Sequence, residues 1–339
     1  MLKIQKNISL KNYNTFGIDA IANTFIQIES QKHINDLKLI INQLPKPFYI
    51  LGSGANTLFT KDYTGTIIFI NNKGINIIEE NNNDIFVEVQ AGEIWNDLVN
   101  FCVNNNYYGI ENLVEIPSTV GASAIQNIGA YGMEVKETIH TVKYTDLQTF
   151  KSVELSNTKC EFDYRNSIFK NKLKNKVIIT SIIFKFKKYS TLKLNYGSIN
   201  SELKNQNIIS PNLKQITSII RNIRASKIPD PKVIGNAGSF FKNPIISKHE
   251  LKIIKNKYPN IIYYPVNNNS FKIAAAWLIE NANLKGCQIG GAAVHKDQAL
   301  VIINKGFATA TDIVKLSNHI KNSIRNLYNI NLHTEVIFI

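Results

Sequence analysis

Cysteine is scarce, with only three in 339 residues. Cys102, Cys160 and Cys287 lie far apart, with no Cys-x-x-Cys pair and an odd total. That spacing argues against both a disulfide framework and a zinc site, and it predicts reduced thiols in a cytoplasmic protein. Long hydrophobic runs are also missing: no stretch reaches the roughly eighteen unbroken apolar residues that a membrane span needs. The opening residues, Met1 to Asn7, hold two lysines and no apolar signal core, so export is not expected. Acids are few as well, 25 against 39 lysines and arginines, which leaves a formal charge of +14. A basic chain can serve nucleic acid, a membrane surface or an anionic substrate. Here the lysines are scattered among asparagines and isoleucines instead of forming a block, so neither nucleic acid nor membrane is the expected partner. A basic RNA- or DNA-binding module stays as the rival of another class. With 44% hydrophobic and 19% charged residues the chain is globular, and it is long enough for two or three domains.

Apolar periodicity is what the chain does have. Ile34, Leu37, Ile41 and Leu44 recur at helical spacing and predict an amphipathic helix over 31–44. Further helices are expected over 94–103, 211–226, 246–257, 272–283 and 310–329, and strands over 24–28, 48–51, 66–70, 86–90, 177–189 and 332–339. A hairpin of 138–145 with 150–155 is expected around Asp146 to Thr149. After the strand 48–51 come Gly52, Ser53, Gly54, Ala55 and Asn56. A dinucleotide fingerprint would need a third glycine opening a long helix, and this stretch has neither. It reads as a tight strand–loop–strand turn, either a plain hairpin or one whose N–H groups form a nest for a pyrophosphate.

Candidate chemistry gathers in other places. Residues 116–132 are mostly small, with Gly121, Ala122, Ser123, Ala124, Gly129, Ala130 and Gly132. Such a loop loses much chain entropy on folding. Either a flat cofactor lies against its backbone or two backbones pack closely there. Arg165 stands among aromatics, and either pairs with Asp163 or Glu161 or faces a carboxylate or phosphate. In 235–244, Ser239 separates the small Gly235, Ala237 and Gly238 from the bulky Phe240 and Phe241, with Lys242 and Asn243 adding donors. Pro229 and Pro231 stiffen the approach. This is either a positioned proton donor or a surface turn over a buried aromatic pair. Glu335 is the only acid of the terminal strand, and either faces solvent by alternation or is kept for chemistry.

Residues 14–17, 51–59, 116–132, 164–167, 229–244, 289–295 and the Glu335 strand, in that order, make the chain similar to the UDP-N-acetylenolpyruvoylglucosamine reductases. These flavoenzymes complete UDP-N-acetylmuramate in bacterial cell-wall synthesis. The likeness spans nearly the whole chain and implies an α+β fold. Its FAD-binding part would be of the vanillyl-alcohol-oxidase type, made of two subdomains, 1–65 (with the strand 329–339) and 66–228. A smaller α+β substrate-binding domain would follow at 229–328. The implied reaction is NADPH-dependent reduction of the enolpyruvyl group of UDP-N-acetylglucosamine enolpyruvate through FAD, for peptidoglycan and hence cell shape and division.

The same resemblance implies that FAD is held by Gly52, Ser53, Gly54, Ala55, Asn56, Ser118, Gly121, Ala122, Ser123, Ile125, Gly129 and Arg224. No histidine or cysteine lies in 51–59 or 116–132, so the FAD is expected to be non-covalent. Hydride would reach C3 of the enolpyruvyl group, with Arg165 stabilising the enolate charge and Ser239 protonating C2. Glu335 would orient the arginine or hold a proton. Tyr196 corresponds to a mobile tyrosine that closes over the nucleotide in the longer subtype of the family. Lys227, Asn243 and Tyr264 correspond to diphosphate and uridine contacts. Two positions beyond the glutamate, where a relative carries a basic residue, this chain has Ile337. No metal is implied, and a monomer is expected. A sugar or alcohol oxidase using oxygen is the rival within the fold.

Overall fold

In the computed structural model, which describes residues 2–339, the strands Phe48–Leu51 and Tyr63–Ile70 are parallel neighbours. The hairpin reading of the stretch between them is thereby corrected. Parallel neighbours need a crossover, so the chain leaves the sheet after Leu51 and re-enters it in the same direction. The excursion carries a short strand of its own, Thr57–Leu58.

The chain divides into two units. The first holds the described residues through Ile8, Ala22–Ser53 and Tyr63–Ser226. Its four-stranded sheet runs Ile4–Ser9, Ile21–Ile28, Tyr63–Ile70, Phe48–Leu51 in space. Ile26, Ile28, Ile67 and Ile68 are buried in its central parallel pair, as both-face burial of parallel strands requires. A five-stranded antiparallel sheet runs Ser152–Ser156, Ile139–Asp146, Val177–Lys187, Asp84–Gln90, Ile75–Glu80. Along Asp84–Gln90, Ile85, Val87 and Val89 are buried and their neighbours are not, the period of two that one dry face imposes. The helices Trp95–Asn104 and Leu213–Lys227 add Trp95, Leu98, Ile216 and Ile220 to the same core. The Trp95 indole N–H donates to the Leu113 carbonyl at 2.9 Å, so this fully buried ring keeps a partner for its one polar atom.

The second unit holds Ser9–Ile21, Gly54–Asp62 and Lys227–Ile339. One antiparallel sheet runs Asn236–Ser239, Val301–Asn304, Ala292–Val294, Gln288–Ile289. A second, Ile245–Ser247, Ser270–Ile273, Tyr263–Asn267, has no counterpart in the sequence patterning. The helices expected from 246 and 272 begin later, at Lys248 and Ala275. Ser247 and Glu250 form a reciprocal capping box that fixes the first start. The Asn243 side-chain oxygen accepts the Ala275 N–H at 2.9 Å at the second. The helix Ala310–Tyr328 buries Ile313, Leu316, Ile320 and Ile324 completely. Each such side chain contributes about 1.5–3 kcal/mol by leaving water. Phe240 and Phe241 are core residues too, in edge contact with each other at 5.1 Å.

The terminal stretch is not one strand. Thr334 bridges antiparallel to Phe241, and Ile337–Phe338 then pairs parallel with Thr57–Leu58. Among the described residues no helix is long and apolar enough to cross a membrane, and no group of three or more His, Cys, Asp or Glu side chains could hold a metal.

Candidate functional site

In the second unit, Ser239 ends a strand with an irregular register. Asn236 faces Ile303 and Ser239 faces Val301, so three steps on one side oppose two on the other. A bulge of this kind turns the following side chains to the opposite face. Gly238 makes it possible at φ +66, where a Cβ would be strained but would meet nothing within 4 Å. Asn236 holds the bulge in place. Its amide donates to the carbonyls of Pro229 (3.0 Å) and Ile234 (2.8 Å), and its side-chain oxygen accepts the Gly238 N–H at 2.9 Å. The Ser239 hydroxyl is half-buried and makes no hydrogen bond among the described residues. Of the two sequence readings, Phe240 and Phe241 follow the bland one, a buried aromatic pair. Beside them the Gly238 backbone is open, with nothing within 4 Å of where a Cβ would stand.

Glu335 sits where the terminal stretch changes partners. Its N–H donates to the Phe240 carbonyl at 2.8 Å, and its own carbonyl accepts the Asn56 side-chain amide at 3.0 Å. The half-buried glutamate is thus fixed from both sides, one residue beyond Ser239 across the pairing and one hydrogen bond from the 52–56 loop. In that loop the carbonyls of Gly54, Ala55 and Asn56 are all engaged. The N–H groups of Ser53, Gly54 and Ala55 take part in no hydrogen bond among the described residues. Successive free N–H groups around a left-handed glycine (Gly54, φ +66) are what an anion-binding nest requires. Lys227 is exposed, and so is Tyr264, on the strand that sequence patterning did not anticipate.

In the first unit, the small residues of 116–132 pack against protein. A Cβ on Gly121 would lie 2.8 Å from that of Ala91, and one on Gly52 would lie 2.7 Å from the Thr119 hydroxyl. The N–H groups of Val120 and Gly121 are spent on the carbonyls of Glu93 and Ala91 (2.9 and 2.8 Å). Ser123 is fully buried, its hydroxyl donating to Val120 at 2.6 Å, and Ser118 turns its own to Thr119 at 3.0 Å. Close packing against Ala91 therefore accounts for Gly121, and against the Thr119 side chain for Gly52. Ala122 and Ile125 remain half-exposed.

Arg165 is anchored to the same loop. Ser167 donates to the Ile125 carbonyl (2.6 Å), Asn127 to that of Asp163 (3.0 Å), and Arg165 Nη2 to that of Gly129 (2.6 Å). Glu161 pairs with Lys172 at 2.6 Å, and Asp163 accepts the Tyr164 N–H at 2.7 Å. Arg165 also sits at φ +53, a left-handed backbone that costs about 1–3 kcal/mol in a non-glycine residue and is more often retained at functional positions. Arg224 has a buried Nε with no hydrogen-bond partner. Burial pushes its guanidinium below the usual arginine range, against Tyr131 and Glu115, and Glu115 already pairs with Arg221 at 2.7 Å. Tyr196 is exposed, edge-on to Tyr131 at 6.3 Å.

The structure thus places the candidates in two sets. Gly52, Ser53, Ser118, Gly121, Ala122, Ser123, Ile125, Gly129, Arg165, Tyr196 and Arg224 belong to the first unit. Gly54, Ala55, Asn56, Lys227, Ser239, Asn243, Tyr264 and Glu335 belong to the second. Taken unit by unit, each set holds donors suited to an anion: free N–H groups in the 53–55 turn, and, in the first unit, a guanidinium at Arg224 whose buried Nε is unused. Asn236 is a positioning residue absent from the sequence reading. An Asn two residues before a glycine in a turn was the available signal.

Two family models match the chain, one described as "UDP-N-acetylenolpyruvoylglucosamine reductase, C-terminal domain" over residues 230–339, the other as "FAD binding domain" over 22–149. The UDP-N-acetylenolpyruvoylglucosamine reductase of Flavobacterium johnsoniae is 44% identical across 99% of this chain and 99% of its own length. That of Neisseria gonorrhoeae is 42% identical across 99% and 97%. The crystal structure of the Thermus caldophilus UDP-N-acetylenolpyruvylglucosamine reductase superposes with a TM-score of 0.70 at 19% identity, covering 100% of this chain and 99% of that one. This likeness shows the fold, and the α+β architecture expected from the sequence is the one observed.

Proposed function

The chain belongs to the family of UDP-N-acetylenolpyruvoylglucosamine reductases, and from that premise we propose that it reduces the enolpyruvyl group of UDP-N-acetylglucosamine enolpyruvate to the lactyl ether of UDP-N-acetylmuramate. NADPH is the electron source and FAD is bound without a covalent tether. When bound, FAD supplies the hydride chemistry that NADPH feeds and that ends with hydrogen on C3. The observation that carries the reading is the bulge that leaves the Ser239 hydroxyl without a protein partner while the neighbouring pairing fixes Glu335.

Ser239 donates a proton to C2, which completes saturation of the double bond. A serine hydroxyl is a weak acid, so it acts only on a carbon that already carries developing charge. Arg165 opposes that charge at the substrate carboxylate, with its guanidinium preset by the Gly129 carbonyl. Glu335 is assigned to the same carboxylate end of the substrate. The N–H groups of Ser53, Gly54 and Ala55, with Asn56, hold the FAD pyrophosphate. Arg224, Gly52, Ser118, Ala122, Ile125 and Gly129 form the rest of the FAD contact, while Gly121 and Ser123, whose N–H and hydroxyl are taken by Ala91 and Val120, hold the loop in shape behind it.

Lys227 supplies charge to the nucleotide diphosphate. Asn243, whose side-chain oxygen is already spent on Ala275, offers its amide N–H groups, and Tyr264 offers an exposed ring. Tyr196 closes over the nucleotide. The domain division proposed is 1–65 with 329–339, then 66–228 and 229–328; the pairing of Ile337–Phe338 with Thr57–Leu58 supports only its joining of the terminal strand to an N-terminal segment. A monomer in the cytoplasm completes the proposal, and the free thiols of Cys102, Cys160 and Cys287 suit a reducing compartment.

Absorbance of the purified protein under anaerobic NADPH is the direct test. The expected protein is yellow, bleaches with NADPH, and regains colour when the enolpyruvyl nucleotide is added. Ser239→Ala should keep the bleaching and lose product formation by about 10²–10⁴-fold. Normal product formation by that variant removes Ser239 from its role. A colourless protein that binds nucleic acid at physiological salt overturns the whole reading.

A further inference from the structure

Asn112 is fully buried in the first unit, and its two amide hydrogens go to two different segments. One is accepted by the Tyr131 carbonyl and the other by the Lys193 carbonyl, both at 2.9 Å. Tyr131 lies in the turn whose Gly129 carbonyl takes the Arg165 guanidinium, and Lys193 lies three residues before Tyr196. We propose that Asn112 is a positioning residue that fixes the Tyr196-bearing segment against the 129–132 turn, so that the nucleotide cover and the arginine's anchor share one reference point.

The choice of residue follows from hydrogen-bond geometry. An asparagine side chain is the shortest that offers two N–H donors from one planar nitrogen, which sets the two carbonyls at a fixed mutual angle. Serine offers one donor and aspartate none. The Asn112 side-chain oxygen has no hydrogen-bond partner among the described residues, so the two donated bonds alone orient the side chain. Contacts around the anchor reinforce it. Lys193 Nζ reaches the Gly132 carbonyl at 3.3 Å and also pairs with Glu137, and the Tyr196 ring lies over Gly132. A Cβ on Gly132 would stand only 3.4 Å from that ring, so the segment rests directly on the turn.

This inference rests on the function proposed above, in which Tyr196 covers the substrate. Asn112→Leu keeps the volume and removes both donors. It should raise hydrogen exchange across residues 190–198 by about tenfold, the scale of two lost hydrogen bonds, with no change in peptides from Trp95–Asn104. It should also raise KM for the enolpyruvyl nucleotide by about tenfold, while NADPH bleaches the flavin at the wild-type rate. Unchanged exchange at 190–198, or an equal rise everywhere, overturns the proposal. Should Asn112→Leu fail to fold, Asn112→Ser decides the matter, because serine is smaller, stays polar and keeps at most one of the two donors that reach the Tyr131 and Lys193 carbonyls. A rise of about threefold in exchange at 190–198 and in nucleotide KM supports the anchor, and no change in either overturns it. If the wild-type protein does not turn over the nucleotide, the functional reading falls, while the exchange comparison still decides the anchor.

Discussion

Two glycine-rich stretches, 116–132 in the first unit and 235–244 in the second, look alike in composition and differ in what occupies the space beside them. At Gly121 the neighbour is Ala91, 2.8 Å from where a Cβ would be, and at Gly129 it is the Met133 carbonyl at 2.9 Å and Arg165 at 3.0 Å. The second stretch begins in the same way, with Gly235 against the Phe16 carbonyl at 2.3 Å. Three residues later the pattern stops: beside Gly238 there is nothing within 4 Å. Bare backbone can therefore mean that protein has moved in or that room has been left, and only the second case leaves space for a ligand. The room at Gly238 adjoins the one hydroxyl assigned to proton transfer.

A series of glycine-to-alanine variants breaks or sharpens that distinction. Gly235→Ala should be the most destabilising, about 3 kcal/mol or more by urea midpoint, because the obstacle is backbone and cannot rotate away. Gly121→Ala meets the Ala91 methyl at 2.8 Å and the Ala91 carbonyl at 3.2 Å, a milder overlap than the 2.3 Å at Gly235, and should cost about 1–3 kcal/mol. Gly238→Ala should cost about 1–2 kcal/mol, all of it from the left-handed backbone, and yet should reduce product formation more than either. If Gly238→Ala destabilised as much as Gly235→Ala, the open space beside it would not exist.

That difference was not legible in the sequence, since all three positions read only as glycine. Elements with strong periodicity were legible: Asp84–Gln90 alternates and Ala310–Tyr328 carries its apolar stripe, because one buried face dictates each pattern. The parallel relation of Phe48–Leu51 and Tyr63–Ile70 was not, because strand direction depends on a crossover that leaves no local mark. Nor was the sheet holding Tyr264, where Tyr263–Asn267 is mostly exposed and has no apolar alternation to read. Ser239, Arg165 and Glu335 were nameable through family resemblance. What fixes them was not: a bulge held by Asn236, a left-handed arginine tied to Gly129, and a change of strand partner at Glu335. Each is a tertiary hydrogen bond, and sequence spacing carries little information about those.

Filled and open places also differ in how their carboxylates titrate, with smaller effects. Glu111 is buried in the first unit; burial pushes its carboxyl up, opposed in part by the N–H groups of Gly109, Glu111 and Ile110. Asp312 stands at the first turn of Ala310–Tyr328, where the N–H groups of Thr309 and Gly291 and the Thr309 hydroxyl hold it below the usual range. The signs are opposite. For Glu111 the folded value lies above the unfolded value of about 4.3, so the folded state binds more protons between them and stability falls as pH rises through that window. For Asp312 the folded value lies below about 3.9, so its contribution is complete above that pH and is lost as pH falls through the folded value. Urea midpoints measured from pH 3 upward should separate the two. Glu111→Gln should remove a decline on the rising side and leave the acid limb as it was. Asp312→Asn should flatten the acid limb alone, by the smaller amount, because a solvated carboxylate at a helix start is screened where a buried one is not.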